Sequence, residues 1–366
     1  MDAAIVVVGY NRIDSLERVL SSLLVADYGG DDIALYISLD GSSIQSSIID
    51  KLKSFKWPNG QLEVIAYDEN IGLKKHILKC GDLTSFHDFI IVLEDDISVS
   101  KCFYEYAKNA FLFYSNSDDV FAISLYSPRF NESALQPFVP SLNASTYMMQ
   151  LPCSWGQIWF NRTWSLFRAW LENSSNINYE KLPSNIQRWS GRSWKKDQLV
   201  YLMENDLYYV YPVDSYSNNF GDVGEHVKGT FLFQVALKNY HSDFSFLTTK
   251  DPDIVFYDAW MERKCKLEVD SGIVDIEFDL YGMKKNYNSQ YVVTSKISTK
   301  PLKKYLGDRL PLEENILLGL EDKKGLFTLS ESKYVKPSMR HRLEIFLRTY
   351  NLNLSLSLLS RLLGRI

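Results

Sequence analysis

The stretch Phe89-Ile90-Ile91-Val92-Leu93-Glu94-Asp95-Asp96 decides the fold of this chain. Its apolar, largely β-branched start predicts a strand that is buried on both faces of a parallel sheet. Ligand sites of open α/β sheets lie at the carboxyl ends of the strands, where this strand places its carboxylates. Acids crowded there repel one another unless a divalent cation lies among them, and oxygen ligands suit Mg²⁺ or Mn²⁺. The alternative interpretation is an acidic cap at the start of a helix.

Composition indicates a folded chain with a sizeable core. The chain has 366 residues, of which 46% are hydrophobic, and this length allows roughly two domains. A net charge of −5 argues against nucleic acid as a partner. The four cysteines form no CxxC pair, and the sequence begins without a basic segment or cleavage site. With no stretch long enough for a transmembrane helix, we expect a cytoplasmic protein with reduced thiols.

Strands and helices alternate through the first hundred residues. The sequence predicts strands over 3–8, 33–39, 62–66 and 89–93, with helices over 14–24, 44–55 and 73–80 between them. This alternation predicts an α/β fold with a mostly parallel sheet flanked by helices. Neither a GxGxxG loop nor a P-loop follows the first strand, which disfavours a dinucleotide site.

We expect three regions along the chain. Residues 1–248 form the catalytic domain, and residues 249–338 form a small accessory region with short antiparallel strands. Residues 339–366 are rich in leucine and arginine at helical spacing, which predicts a basic amphipathic tail that contacts an anionic membrane. Alternatively, this tail packs on the catalytic domain or on a second subunit, and residues 351–358 also fit an edge strand.

Polar residues follow the other predicted strands. Arg12 comes after the first strand, Asp40 after the second and Asn70 after the third. An arginine in that position can pair with phosphate, and an aspartate can accept a hydrogen bond from a base or a ribose. Alternatively, Arg12 is a surface residue at the start of a helix, and Asp40 belongs to a plain Asp-Gly turn.

The order of these motifs resembles that of GT-A-fold inverting nucleotide-sugar glycosyltransferases. The similarity is greatest to the N-acetylglucosaminyltransferase I family, and bacterial family-2-like polysaccharide glycosyltransferases share the architecture. It rests on Asn11-Arg12, on Asp40, and on the acidic triplet with the aromatic stretch Phe103-Tyr104-Glu105-Tyr106 after it. The resemblance covers residues 3–233 and implies a GT-A, Rossmann-like fold.

The resemblance also implies a role for each residue at the sheet edge. Asp96 would bind Mn²⁺ or Mg²⁺ directly. Glu94 and Asp95 would face the ribose or orient the site. Arg12 would contact the diphosphate, and Asp40 would contact the uracil.

Two further roles come from the resemblance alone. Asp197 would be the catalytic base, although this chain has Lys196-Asp197 where the family has paired acids. His226 would complete the metal shell. The alternatives are a solvent-exposed acid beside lysines for Asp197 and a surface loop histidine for His226.

The function so implied is metal-dependent, inverting transfer of a sugar from a UDP-sugar to an oligosaccharide or lipid-linked acceptor. Such a reaction needs one base for the acceptor hydroxyl and a Lewis acid for the leaving diphosphate. By analogy, the enzyme assembles a bacterial surface polysaccharide, O-antigen or capsule, at the inner face of the cytoplasmic membrane. A sugar nucleotidylyltransferase is the alternative, but its usual glycine-rich loop is missing. A non-enzymatic carbohydrate-binding protein would leave the acidic triplet unexplained.

Overall fold

The computed structural model describes residues 1–140, 144–222, 233–269 and 272–336. They form two compact units. The first unit contains the described residues of 1–129 and 142–255, and the second contains those of 130–141 and 256–366. Within these described ranges, no helix combines the length and apolar character needed to cross a bilayer.

The strands are short, and they are numbered in chain order. They are β1 (Ala3–Gly9), β2 (Ile33–Leu39), β3 (Leu62–Ala66), β4 (Phe89–Glu94), β5 (Ile97–Val99), β6 (Val120–Ser124), β7 (Phe130–Asn131), β8 (Gln136–Pro137), β9 (Thr146–Met149), β10 (Gln157–Phe160), β11 (Tyr208–Pro212), β12 (Ser217–Asn219), β13 (Phe256–Tyr257), β14 (Arg263–Val269), β15 (Gly272–Asp279), β16 (Tyr291–Thr294), β17 (Ile297–Ser298), β18 (Lys303–Tyr305), β19 (Phe327–Glu331) and β20 (Val335–Lys336).

The helices are concentrated in the first unit. They are α1 (Ile13–Leu24), α2 (Gln45–Leu52), α3 (Leu73–Gly81), α4 (Phe103–Tyr114), α5 (Asn161–Asn173), α6 (Ser184–Gln187), α7 (Trp194–Glu204) and α8 (Glu314–Leu317).

The first unit is built on a sheet with the order β9-β11-β6-β10-β4-β1-β2-β3. Strands β3, β2, β1 and β4 are parallel neighbours, and β6 and β11 also pair in parallel. Strand β10 runs antiparallel between β4 and β6, and β9 runs antiparallel to β11. The predicted α/β fold, with a mostly parallel sheet flanked by helices, is confirmed.

Burial on both faces of the sheet explains why the sequences of β1 and β4 are almost entirely apolar. Every residue of β1 is buried, as are the five residues of β4 before its terminal Glu94. Helix α1 buries Leu16, Val19, Leu20 and Leu23, whose spacing places them on one helix face. A strand buried on both faces has no polar alternation, so its position in the sheet can be predicted from sequence.

The second unit contains a hairpin, β14 and β15, with a parallel neighbour. Strand β15 pairs antiparallel with β14 and parallel with β16, and β19 pairs antiparallel with β16 and β18. A core of residues such as Phe278, Val293 and Phe327 lies in this unit. The prediction of antiparallel strands is therefore wrong for the pair β15 and β16, which is parallel. The connection between them returns the chain to the end of the sheet at which β15 began.

Residues 130–140 belong to the second unit, although the sequence places them within the catalytic domain. The Asn131 side-chain amide donates to the carbonyl of Trp260 over 2.8 Å. The ring of Phe138 lies edge-on to that of Tyr257, with centroids 5.1 Å apart. Such contacts between distant segments leave no local pattern in the sequence. The predicted tail, residues 339–366, lies outside the described residues.

The second unit also buries an ionic cluster around Lys284, which is 1% exposed. Its ammonium group contacts Asp258 and lies 3.1 Å from Glu277 Oε1 and 3.7 Å from Glu262 Oε2. Burial lowers the pKa of Lys284, but the three carboxylates outweigh it and raise that pKa above its ordinary value. Lys284 is therefore a permanent cation beside three acids.

Candidate functional site

The carboxyl ends of β1, β2 and β4 meet at one edge of the first unit's sheet. The strand register pairs Val8 of β1 with Glu94 of β4, and Gly9 of β1 with Leu39 of β2. Arg12 is the residue before α1, so it projects from the same edge as the acidic triplet. The structure thus brings Arg12 and the triplet together, because carboxyl ends of parallel strands share an edge.

Arg12 bridges two of the three acids. Its Nη1 donates to Asp96 Oδ2 over 3.0 Å, while Nη2 and Nε both contact the Asp95 carboxylate. The Asp95 side chain is 4% exposed and that of Arg12 is 25% exposed. Burial raises the pKa of Asp95 to about 6, Asp96 adds to this effect, and Arg12 opposes it. One guanidinium therefore faces two carboxylates.

Three carboxyl groups crowd this edge, with Arg12 and Lys195 as the cations beside them. Burial raises the pKa of Glu94 above its ordinary value, the charge of Asp96 adds to this, and Lys195 opposes it. Oδ1 of Asp96 is buried and accepts no hydrogen bond from the described residues. A buried carboxylate oxygen without a donor is costly, so it is a position that a further cation or donor would stabilise.

The residues fit a divalent cation whose shell is completed by a ligand. Among the described residues, no group of three or more His, Cys, Asp or Glu side chains is arranged to hold a metal ion. Mg²⁺ is often bound by one or two carboxylates together with waters and substrate phosphates, and Mn²⁺ accepts the same oxygen ligands. The unpartnered oxygen of Asp96 suits a site of that kind. His226 lies outside the described residues, so its place in the metal shell stays a prediction.

Asp40 organises the turn that contains Asn70. Its Oδ1 accepts the N–H groups of Gly41 and Ile71, and its Oδ2 accepts that of Gly72, all over 2.8–3.0 Å. Gly72 has a φ of +81°, a conformation that favours glycine. Asn70 is exposed in this turn, next to Ile71. The carboxylate of Asp40 is thus part of the turn's framework, and its contact with uracil stays a prediction.

Asp197 lies in the first turn of α7 and is 1% exposed, so it is not the solvent-exposed acid of the alternative interpretation. The hydroxyl of Tyr179 donates to its Oδ1 over 2.6 Å. The ammonium group of Lys74, on α3, forms an ion pair with its Oδ2. Lys74 follows directly after the turn that Asp40 holds, so Asp197 is connected to the sheet edge through α3.

Sequence reasoning missed Tyr179 and Lys74. Tyr179 lies in an irregular segment, and Lys74 lies one residue into α3 beside a second lysine. Neither position carries a motif. Tyr179 lies far along the chain from the residues of the sheet edge, and Lys74 lies far along the chain from Asp197. Only the three-dimensional contact with Asp197 identifies them.

The segment that ends at Asp222 packs beside the triplet. Strand β12 pairs antiparallel with β5, which directly follows the acids, and the N–H of Phe220 donates to the carbonyl of Asp96 over 3.1 Å. Asp222 accepts a hydrogen bond from Ser15 over 2.7 Å and forms an ion pair with Arg18, both on α1. These contacts hold the segment that ends at Asp222 against Asp96 and against α1.

Comparison with solved structures finds partial likenesses. TarS 1–349 from S. aureus, in complex with UDP-GlcNAc, is 17% identical, with a TM-score of 0.41 over 62% of this chain and 60% of that one. The mannosyltransferase PcManGT from Pyrobaculum calidifontis, in complex with GDP-Man and Mn²⁺, is 12% identical, with a TM-score of 0.36 over 58% of this chain and 55% of that one. Such likenesses assign this chain to no family and carry no argument about its site. No family model and no curated protein matches the sequence.

Proposed function

We propose that the first unit is a metal-dependent, inverting glycosyltransferase that uses a nucleotide-sugar donor, UDP-linked, and a saccharide or lipid-linked acceptor. One observation carries the proposal. A cationic guanidinium, Arg12, and a buried carboxylate oxygen without a donor, Asp96 Oδ1, lie together at the carboxyl edge of the sheet. A diphosphate together with a divalent cation matches both groups, because phosphate oxygens pair with arginine and also ligate Mg²⁺ or Mn²⁺.

Each residue at the edge has a role under this proposal. Asp96 would hold the cation, with His226 completing its shell, and Arg12 would bind the diphosphate. A bound Mn²⁺ or Mg²⁺ would supply Lewis-acid stabilisation of the leaving diphosphate. Glu94 and Asp95 would orient the ribose side of the site.

The nucleoside end and the base complete the assignment. Asp40, which follows β2, and Asn70, on the turn after β3, would contact the base and the ribose. Asp197 would accept the proton of the attacking hydroxyl, since inversion in a single displacement requires one base. Assembly of a bacterial surface polysaccharide, with the tail on the membrane, belongs to the same proposal and rests on the family resemblance.

The first test uses a panel of nucleotide sugars with Mn²⁺. A glycosyltransferase slowly releases free sugar and nucleoside diphosphate from its donor when water replaces the acceptor. A nucleotidylyltransferase would instead consume its nucleotide sugar only with pyrophosphate, and a carbohydrate-binding protein would do neither. The absence of any donor cleavage across the panel would contradict the proposal.

Asp96→Ala tests the metal site within that assay. We expect loss of donor cleavage and of Mn²⁺-dependent UDP binding by calorimetry, because the variant lacks the carboxylate proposed to hold the cation. Asp31→Ala is the matched control, since Asp31 pairs with Tyr104 and Lys108. Near-native turnover of Asp96→Ala in Mn²⁺ would show that the triplet has a structural role and holds no catalytic metal.

Asp197→Asn tests the base. The substitution keeps the shape of the side chain but removes its ability to take a proton. We expect kcat to fall by roughly 10²–10⁴-fold with donor affinity little changed. An unaltered kcat would assign the base to another residue.

A further inference from the structure

The carboxylate proposed as the base is enclosed. The Asp197 side chain is 1% exposed, and each of its oxygens already has a neighbour. Tyr179 donates to Oδ1 over 2.6 Å, and Lys74 forms an ion pair with Oδ2. A general base must lie within hydrogen-bond reach of the proton it takes, directly or through one intermediary. An acceptor hydroxyl therefore needs an intermediary to deliver its proton to this carboxylate.

The chemistry of the two neighbours separates them. The ammonium group of Lys74 has three donors and no acceptor, so it cannot receive a proton. The phenol of Tyr179 can accept one hydrogen bond while it donates another. Its side chain is half-buried, whereas Asp197 is fully buried. Of the two groups on the carboxylate, only Tyr179 can pass a proton inwards.

The Tyr179 ring is held in place. The ammonium nitrogen of Lys196 lies 4.4 Å from the ring centroid. That ammonium is itself fixed, because it donates to the carbonyls of Gln187 and Trp189 over 2.8 and 3.2 Å. A cation over the face of a tyrosine restrains the ring, so the hydroxyl keeps its direction towards Asp197.

We propose that Tyr179 relays the proton of the acceptor hydroxyl to Asp197; this inference rests on the proposed function. The acceptor O–H bond breaks as its proton moves to the phenol oxygen, and the phenol proton moves to Asp197 Oδ1. The acceptor oxygen bonds to the anomeric carbon, and the bond from that carbon to the diphosphate oxygen breaks. The electron pair of that bond leaves with the nucleoside diphosphate, and Tyr179 is neutral before and after the step.

The surroundings favour a concerted transfer. Burial and the neighbouring Asp197 raise the pKa of Tyr179 well above its ordinary value, so a free tyrosinate is costly. The two protons must therefore move together. Lys74 supplies a positive charge directly beside the buried carboxylate of Asp197.

The test uses Tyr179→Phe, which removes the hydroxyl and keeps the ring beneath Lys196. With water as the acceptor and the donor found in the panel, we expect kcat to fall about 10²-fold or more, with UDP binding in Mn²⁺ unchanged. Tyr208→Phe is the matched control, because it removes another tyrosine–aspartate hydrogen bond of the same unit, to Asp206 over 2.8 Å. This control should keep its turnover.

Azide separates a relay from a structural defect. Azide attacks without losing a proton, so it should restore turnover of Tyr179→Phe and of Asp197→Asn, with a glycosyl azide as the product. The double variant should be no less active than the less active of the two single variants, as expected for residues that act as a unit.

Two outcomes would overturn the relay alone. One is unchanged water-dependent kcat in Tyr179→Phe while Asp197→Asn is inactive. The other is a loss of kcat in Tyr179→Phe that azide does not restore. If the unmodified protein cleaves no nucleotide sugar, the proposed function fails and the relay fails with it.

Discussion

Acid should destabilise the first unit through His76. This residue lies on α3 and is 2% exposed, with Nε2 2.7 Å from the Ser38 hydroxyl and the ring edge-on to Tyr67. Burial lowers the pKa of His76 from 6.5 to about 4, although Asp40 opposes the change. The folded state therefore excludes the proton that the unfolded chain binds.

The sign and size of the effect follow from this difference. Because the pKa is lower in the folded state, the stability from neutral His76 is fully present above pH 6.5. It is lost as the pH falls from there to about 4. At 1.36 kcal/mol per pH unit, the interval corresponds to about 3 kcal/mol. Below the folded-state value the contribution is gone and adds no further slope.

Urea unfolding measures this directly. The free energy of unfolding is determined by tryptophan fluorescence at several pH values from about 7 to about 4.5, for the natural chain and for His76→Gln. Carboxylates that titrate in this range contribute equally to both proteins, so the difference between the two curves isolates His76. We expect the natural chain to lose about 2–3 kcal/mol more than the variant. Parallel curves would refute the reasoning.

Three further substitutions test the packing of each unit by urea unfolding. Lys284→Met leaves buried carboxylates without their cation and should destabilise the second unit by about 3–5 kcal/mol; a loss below about 1 kcal/mol would contradict the cluster's role. Gly81→Ala places a Cβ 2.0 Å from the Trp164 ring and should cost about 1–3 kcal/mol, whereas the control Gly191→Ala meets no atom within 4 Å and should be near neutral. Asp40→Asn exchanges a charged acceptor of three backbone N–H groups for a neutral one and should cost about 1–3 kcal/mol, and unchanged stability would refute its framework role.

The parallel half of the first sheet could be predicted from sequence because its signals are local. Strands over 3–8 and 89–93 appear as Ala3–Gly9 and Phe89–Glu94, since a strand covered on both faces must be apolar throughout. The antiparallel insertion of β10 between β4 and β6 could not be predicted. Its pairing with β4 joins residues that are more than sixty positions apart, as in Phe160 opposite Phe89, and no turn residue fixes such a register.

The candidate site shows the same division between local and distant information. Arg12 and the triplet each follow a predicted strand, so the sequence alone placed them at one edge. The surroundings of Asp197 come from α3 and from an irregular segment, and a lysine at a helix start gives no sign of the buried partner it will meet. Charge pairing of this kind depends on packing, which single-sequence patterns do not encode.

The position of Arg12 constrains how a diphosphate could bind under the proposed function. The sequence predicts that this guanidinium binds phosphate, whereas the structure pairs it with Asp95 and Asp96. Three of its five donors already contact these carboxylates, so a diphosphate that approaches Arg12 competes with them for the same cation. If Arg12 turns to phosphate, the two acids lose their counter-charge, and burial makes that loss costly. A divalent cation that arrives with the diphosphate would replace the lost charge at Asp96, so nucleotide and metal binding should be mutually dependent.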